Sequence, residues 1–277
     1  MPELLLTEHF EWVLAMLGAG LAGGLLAGLL GVGGGIVIVP VLYLVQGHLG
    51  VDDDVRMKLA IATSLATIVF TSLSSAKSHA KRGTIDRQLV RDWIGPIFFG
   101  VVGGTALASV VPGLVLTAVF ATVASIVAVR MILSGKEQAG AGQFPNKAVK
   151  WTSGIVVGAV SALMGIGGGT VSVPILSGFG YDIRRAVGTA SALGFVIAIP
   201  GTIGYALTGW HADGLPAGSL GYVNLIALAL IVPTTMATAP AGAWLAHRLP
   251  RRALGAAFGI FLAATALRMF YDIAGNL

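Results

Sequence analysis

The 277-residue chain has no cysteine, which excludes disulfides and thiolate metal sites. Charge is nearly as scarce: 10% of residues are Asp, Glu, Lys or Arg, where a soluble globular protein carries about 25%. Four stretches have none of these residues: Val13 to Val51, Trp93 to Val129, Trp151 to Tyr181 and Gly214 to His247. Each exceeds the ~20 apolar residues needed to cross a bilayer. The expected fold is therefore an all-α polytopic membrane protein with no sizeable soluble domain. Carboxylates are missing from the segment centres, and no Ser/His/Asp set, paired intramembrane aspartates or H-E-x-x-H string occurs. An enzyme, a resident metal and a cofactor are not expected. The opening "MPELLLTEHFEW" lacks a basic n-region and carries Glu3, Glu8 and Glu11, so it does not read as a cleaved signal peptide.

The charge that is present is informative. A net charge of +5 and a pI near 9.7 do not signal nucleic acid, because the basic residues fall between apolar segments and not in one patch. Cytoplasmic loops of membrane proteins are enriched in Lys and Arg. With loop 77–91 placed inside, the linker 130–150, Arg184/Arg185 and Arg248/Arg251/Arg252 also fall inside, accounting for 14 of the 17 Lys and Arg residues. Eight of the 12 acids, Glu3, Glu8, Glu11, Asp52 to Asp54, Asp213 and Asp272, fall outside. Both termini are expected outside.

Ten apolar segments fall into two halves. The first half runs 12–30, 36–46, 59–80, 93–111 and 113–134, and the second 151–164, 170–180, 186–209, 222–246 and 253–272. The string "GVGGGIVIVP" (Gly31 to Pro40) returns 134 residues later as "GIGGGTVSVP" (Gly165 to Pro174). "ATS" (Ala62 to Ser64) answers "TAS" (Thr189 to Ser191), and "VRMIL" answers "LRMFY". Residues 1–134 are expected to form repeat 1, 135–150 a cytoplasmic linker and 151–277 repeat 2. Loop 77–91 and its counterpart 208–220, which has no Lys or Arg, then face opposite sides, so the repeats are expected to be inverted. The second segment of each half is too short to span comfortably, which leaves re-entrant and tilted arrangements open.

The glycine strings break a helix inside an uncharged stretch, since glycine costs a helix about 1 kcal/mol per residue relative to alanine and proline about 3. A dinucleotide loop is excluded because no βαβ unit fits there. Two readings remain. Small residues let helices pack closely; alternatively, freed N–H groups at a buried helix start bind an anion. The candidate substrate-binding residues are Gly31, Gly33, Gly34 and Gly35 with Gly165, Gly167, Gly168 and Gly169. Hydroxyl donors are Thr170, Thr63, Ser64, Thr189 and Ser191, for which helix packing and back-bonding is the other reading. His79 is a further candidate, although its place beside the basic loop also suits an interfacial role. "DDD" at Asp52 to Asp54 reads as a helix cap, not a metal site.

Two copies of G-[VI]-G-G-G-x-[VI]-x-V-P, each followed by a basic pair and an "ATS/TAS" helix, resemble the TauE/SafE sulfite exporter family. The resemblance runs over about residues 12–272, and the matching positions are Gly31, Gly33, Gly34, Gly35 and Pro40, with Gly165, Gly167, Gly168, Gly169 and Pro174. It implies an inner-membrane transporter of a small anionic substrate such as sulfite, sulfoacetate or a related sulfonate. An importer of the same anions and a non-transporting scaffold whose glycines only pack are the alternatives.

Overall fold

The computed structural model describes residues 2–30, 33–133, 142–245 and 251–275. Among them, ten helices track the ten apolar segments. Repeat 1 contains α1 (Pro2–Leu30), α2 (Gly35–His48), α3 (Asp53–Lys81), α4 (Arg87–Val110) and α5 (Gly113–Leu133). The second half contains α6 (Lys147–Met164), which begins four residues before the expected boundary at 151, α7 (Gly169–Gly178), α8 (Ile183–Thr208), α9 (Leu225–Leu245) and α10 (Arg251–Gly275). One departure from the all-α expectation is a short antiparallel hairpin, β1 (Ser219–Leu220) with β2 (Val223–Asn224), where the segment expected from 222 has its first residues. Among the described residues, five helices are long and apolar enough to cross a membrane: α1, α3, α4, α8 and α9.

Short polar side chains set where several helices begin. Asp52 accepts from Asp54 N at 2.9 Å and starts α3, six residues before the apolar pattern does. Asp86, Asn146, Asp182 and Asn224 cap α4, α6, α8 and α9 in the same way. The carboxylate or amide oxygen takes an N–H that has no partner within its own helix.

The packing partners exchange between repeats. Helix α1 lies along α9 and α6 along α4, while α3 pairs with α8 and α5 with α10. Swapping the repeats maps each of these pairs onto another or onto itself, as a two-fold relation would. Cross-repeat ion pairs add to this at one end of the bundle: Asp92 with Lys150, and Asp86 with Arg185 at 3.0 Å.

Two of these crossings depend on backbone contact. A Cβ at Gly158 of α6 would lie 2.3 Å from Ile97 O, and one at Gly100 of α4 would lie 2.2 Å from Ile155 O. The α1–α9 crossing repeats the device, with Gly24 against Thr235 O at 2.5 Å and Gly242 against Leu25 O at 2.0 Å. Lipid tails offer no hydrophobic driving force between helices, so close backbone approach supplies the van der Waals attraction. Gly158→Ala is expected to cost ~1–3 kcal/mol by overpacking, read as a lower thermal midpoint in detergent. Gly103→Ala, whose Cβ meets nothing within 4 Å, should be neutral or stabilising through helix propensity.

Candidate functional site

Both glycine strings sit in the middle of the bundle. Helix α3 has 29 residues, about 43 Å at 1.5 Å per residue, and its central part touches both strings. A Cβ at Gly165 would meet Ile61, one at Gly35 would meet Ser64 and Ile68, and one at Gly33 would meet Ile68. The strings also touch each other: a Cβ at Gly33 would be 3.3 Å from Gly167 Cα, and one at Gly35 only 2.4 Å from Gly165 O. Gly168 lies against Ala190, Leu193 and Ile197, the middle of α8. Gly33 to Ile36 and Gly165 to Thr170 are all buried. Gly31 lies outside the described residues.

The helices that begin here are short. Helix α2 has 14 residues and α7 has 10, about 21 and 15 Å, against a hydrocarbon core of about 30 Å. Their N-caps are Gly34 and Gly168, repeat equivalents, and neither start has a side-chain cap. The contrast with the Asp- and Asn-capped helices is sharp. Gly33 and Gly34 adopt φ of +77° and +79°, left-handed values that only glycine takes without strain. Repeat 2 makes its turn differently, with Gly165 at φ +65° as the C-cap of α6.

The candidate hydroxyls divide by their partners. Ser64 Oγ donates to Gly165 O at 2.7 Å, tying α3 of repeat 1 to the string of repeat 2. Ser191 Oγ donates to Gly188 O within its own helix. Thr63 Oγ1 accepts from Asn224 N at 2.9 Å, and Thr189 Oγ1 accepts from Asp86 N at 2.9 Å. Asn224 and Asp86 are the N-caps of α9 and α4, so each threonine on the third helix of one repeat holds the fourth helix of the other. Thr170 differs: it is 5% exposed, and its Oγ1 has no partner among the described residues.

His79 does not join the strings. It sits eight residues beyond Thr71 on α3, about 12 Å away, where its carbonyl accepts from Thr84 Oγ1 at 3.1 Å in the turn that ends the helix. Thr71 was not among the sequence candidates, yet its Oγ1 donates to Gly33 O at 3.2 Å. Its spacing of seven from Ser64, two helical turns on one face, was the available signal.

A second feature lies at the other end of α2, where a cavity of about 370 Å³ is lined by His48, Asp53, Arg56, Arg268, Tyr271 and Asp272. Arg56 pairs with Asp53 at 2.8 Å and Arg268 with Asp272 at 3.2 Å. Arg56, Lys58 and Arg268 are the three basic residues that the charge reading leaves outside. Each lies over a tyrosine ring: Tyr43 at 4.0 Å, Tyr222 at 5.8 Å and Tyr271 at 5.5 Å.

Residues 16–269 match the model of the family described as sulfite exporter TauE/SafE. A probable membrane transporter protein of Haemophilus influenzae is 34% identical over 94% of this chain and 99% of its own length. Probable membrane transporter proteins of Methanocaldococcus jannaschii and Bacillus subtilis are similar at 29% and 30%, over 81% and 73% of this chain and 84% and 80% of theirs. No solved structure matches the chain.

The threonine clasps generate a stability prediction. Thr63→Val and Thr189→Val each leave a backbone N–H unpaired, at a cost of about 1–3 kcal/mol. Both variants should melt earlier in detergent, and the double variant should lose roughly the sum, since the two sites share no partner.

Proposed function

The chain belongs to the sulfite exporter TauE/SafE family, and we propose that it is a transporter exporting a small sulfur-containing oxyanion across a bacterial inner membrane. Sulfite, sulfoacetate and related organosulfonates are the substrate class. The observation that carries this reading is the pair of buried helix starts, α2 and α7, that meet at Gly33 and Gly167 without side-chain caps. The first N–H groups of a helix have no partner within it and carry its positive dipole end. In hydrocarbon such groups are costly unless something accepts from them. An oxyanion between the two starts would accept from both, and it would meet no lysine or arginine whose full charge could hold it too tightly to release.

The distribution of Lys and Arg gives the proposal its topology. Helices α1 and α2 enter as a hairpin from the outer side and α6 and α7 from the cytoplasmic side, with the tips meeting midway. The repeats are then inverted and both termini lie outside. Alternating access would expose the tips first to one side and then to the other. With the cytoplasm negative, moving one negative charge outward gains about 2.3 kcal/mol per 100 mV, so export needs no coupled ion. An importer would work against that term. The cavity at Arg56 and Arg268 would lie on the outer side of the tips.

Flux in liposomes tests the function. Purified protein should carry sulfite or sulfoacetate, with efflux that speeds as the inside is made negative. Electrically silent flux, or uptake that requires a proton or sodium gradient, would refute the export mechanism, and no flux of any oxyanion would favour a scaffold. Gly168→Ala is the clean site probe, because φ there is −51° and the new methyl's nearest neighbour is the flexible tip Ile197 Cδ1 at 3.0 Å, with Leu193 Cβ at 3.4 Å and Ala190 O at 3.6 Å in ordinary contact. It should fold and lose anion affinity about tenfold, the effect of ~1.4 kcal/mol. Gly34→Ala cannot serve, since its methyl would meet Gly23 O at 2.6 Å at a positive φ. Orientation is read independently: a cysteine at Ser219, the only one in the chain, should react with impermeant reagents from outside only.

A further inference from the structure

The two glycine strings are alike in sequence but differ in the side chains around them. Ser161, on α6 one turn before the string of repeat 2, is 0% exposed, and its Oγ has no partner among the described residues. Its backbone carbonyl closes the turn by accepting from the N–H groups of Gly165 and of Ile166, the latter at 3.2 Å. Thr170, in the first turn of α7, is the second such hydroxyl. Two buried, unpartnered hydroxyls therefore flank one helix break.

The offset of 134 residues gives the comparison. It aligns the N-caps Gly34 and Gly168, and it places Ala27 opposite Ser161 and Ile36 opposite Thr170. Ala27 and Ile36 are both 0% exposed. The same architecture thus accepts apolar side chains at both positions of repeat 1, and packing alone gives no reason for the hydroxyls of repeat 2. A buried hydroxyl without a hydrogen bond is destabilising, and retained cost of this kind belongs where a ligand supplies the missing partner. A cationic ligand would be repelled by the positive end of α7. An oxyanion would accept from the hydroxyls and the helix start together.

We infer that Ser161 and Thr170 are substrate-binding donors that seat the oxygen-rich head of the anion on repeat 2, leaving toward repeat 1, where only the start of α2 can donate, the end of the anion that needs fewer donors. This rests on the anion-transport reading and refines its substrate. The half-sites are unequal, so the preferred ligand is unequal too: a small organosulfonate, with oxygens at one end and carbon at the other. Sulfate is a poorer match, because its oxygens on the side of repeat 1 would find the start of α2 but no hydroxyl, Ala27 and Ile36 standing where repeat 2 has Ser161 and Thr170.

Binding of methanesulfonate and of sulfate to the purified full-length protein, with thermal midpoints measured in parallel, tests the inference. Wild type should bind methanesulfonate at least tenfold more tightly than sulfate. Thr170→Val and Ser161→Ala should each weaken methanesulfonate about tenfold while melting at or above the wild-type temperature, and Thr170→Ser should restore binding. Variants that bind like wild type would overturn the inference while leaving anion transport standing. Variants that melt lower would show that the hydroxyls serve folding, and sulfate binding as tight as methanesulfonate would remove the argument from unequal halves. A wild-type protein that binds no oxyanion would instead overturn the transport reading on which the inference rests.

Discussion

A broken backbone at the depth of the hydrocarbon core must have its polar groups satisfied by protein, because lipid offers no partner. Much of the arrangement around the two glycine strings follows from that demand. The carbonyls freed by the breaks are taken by hydroxyls on the long central helix: Gly165 O by Ser64 and Gly33 O by Thr71. That explains why α3, buried through its middle, carries Ser64 and Thr71 where an ordinary span would be aliphatic, whereas Thr63 accepts from Asn224 N and Thr67 donates within its own helix. Carbonyls are provided for from within the chain, whereas the N–H groups at the starts of α2 and α7 receive no side-chain cap. The imbalance leaves these two helix starts without a side-chain acceptor among the described residues.

Close packing does not account for all the glycines alike; its demands differ between positions. Gly100, Gly158, Gly24 and Gly242 bring helix backbones into contact at the two cross-repeat crossings. Gly34 combines a turn conformation with contact on Gly23, and so serves structure first. Gly168 has an ordinary helical φ, and a Cβ there would meet nothing closer than the tip of Ile197 at 3.0 Å. Its lack of a side chain leaves the start of α7 open to approach. One residue type thus meets different physical demands at different positions of the chain, and only the local backbone angle and neighbours separate them.

The repeats hold each other reciprocally. Thr63 of α3 clasps the start of α9, and Thr189 of α8 clasps the start of α4. Together with α1 along α9 and α6 along α4, this means that neither half completes its own packing. Motion of one repeat's hairpin against the other would leave these clasps as fixed points, since they lie on the third and fourth helices and not on the tips.

Much of this was legible in the sequence. Uncharged stretches of known length locate the helices, since only a helix satisfies its own backbone in lipid, and the duplicated strings locate the starts of α2 and α7 to within one residue. Asp52 was identifiable as a cap because an acid before an apolar run has a local use. The partners of Thr63, Thr189 and Ser64 were not legible: they lie 161, 103 and 101 residues away, and a hydroxyl has the same sequence appearance whether it clasps a helix, bonds its own turn or stands free. Only the tertiary arrangement decided that these hydroxyls have partners while Thr170 and Ser161 do not. It also placed His79 in a terminal turn, away from the strings. Composition and periodicity act through the local chain and its solvent, so sequence determined the elements and their breaks. Hydrogen bonding between distant segments depends on which faces meet, and that was settled only when the two repeats packed together.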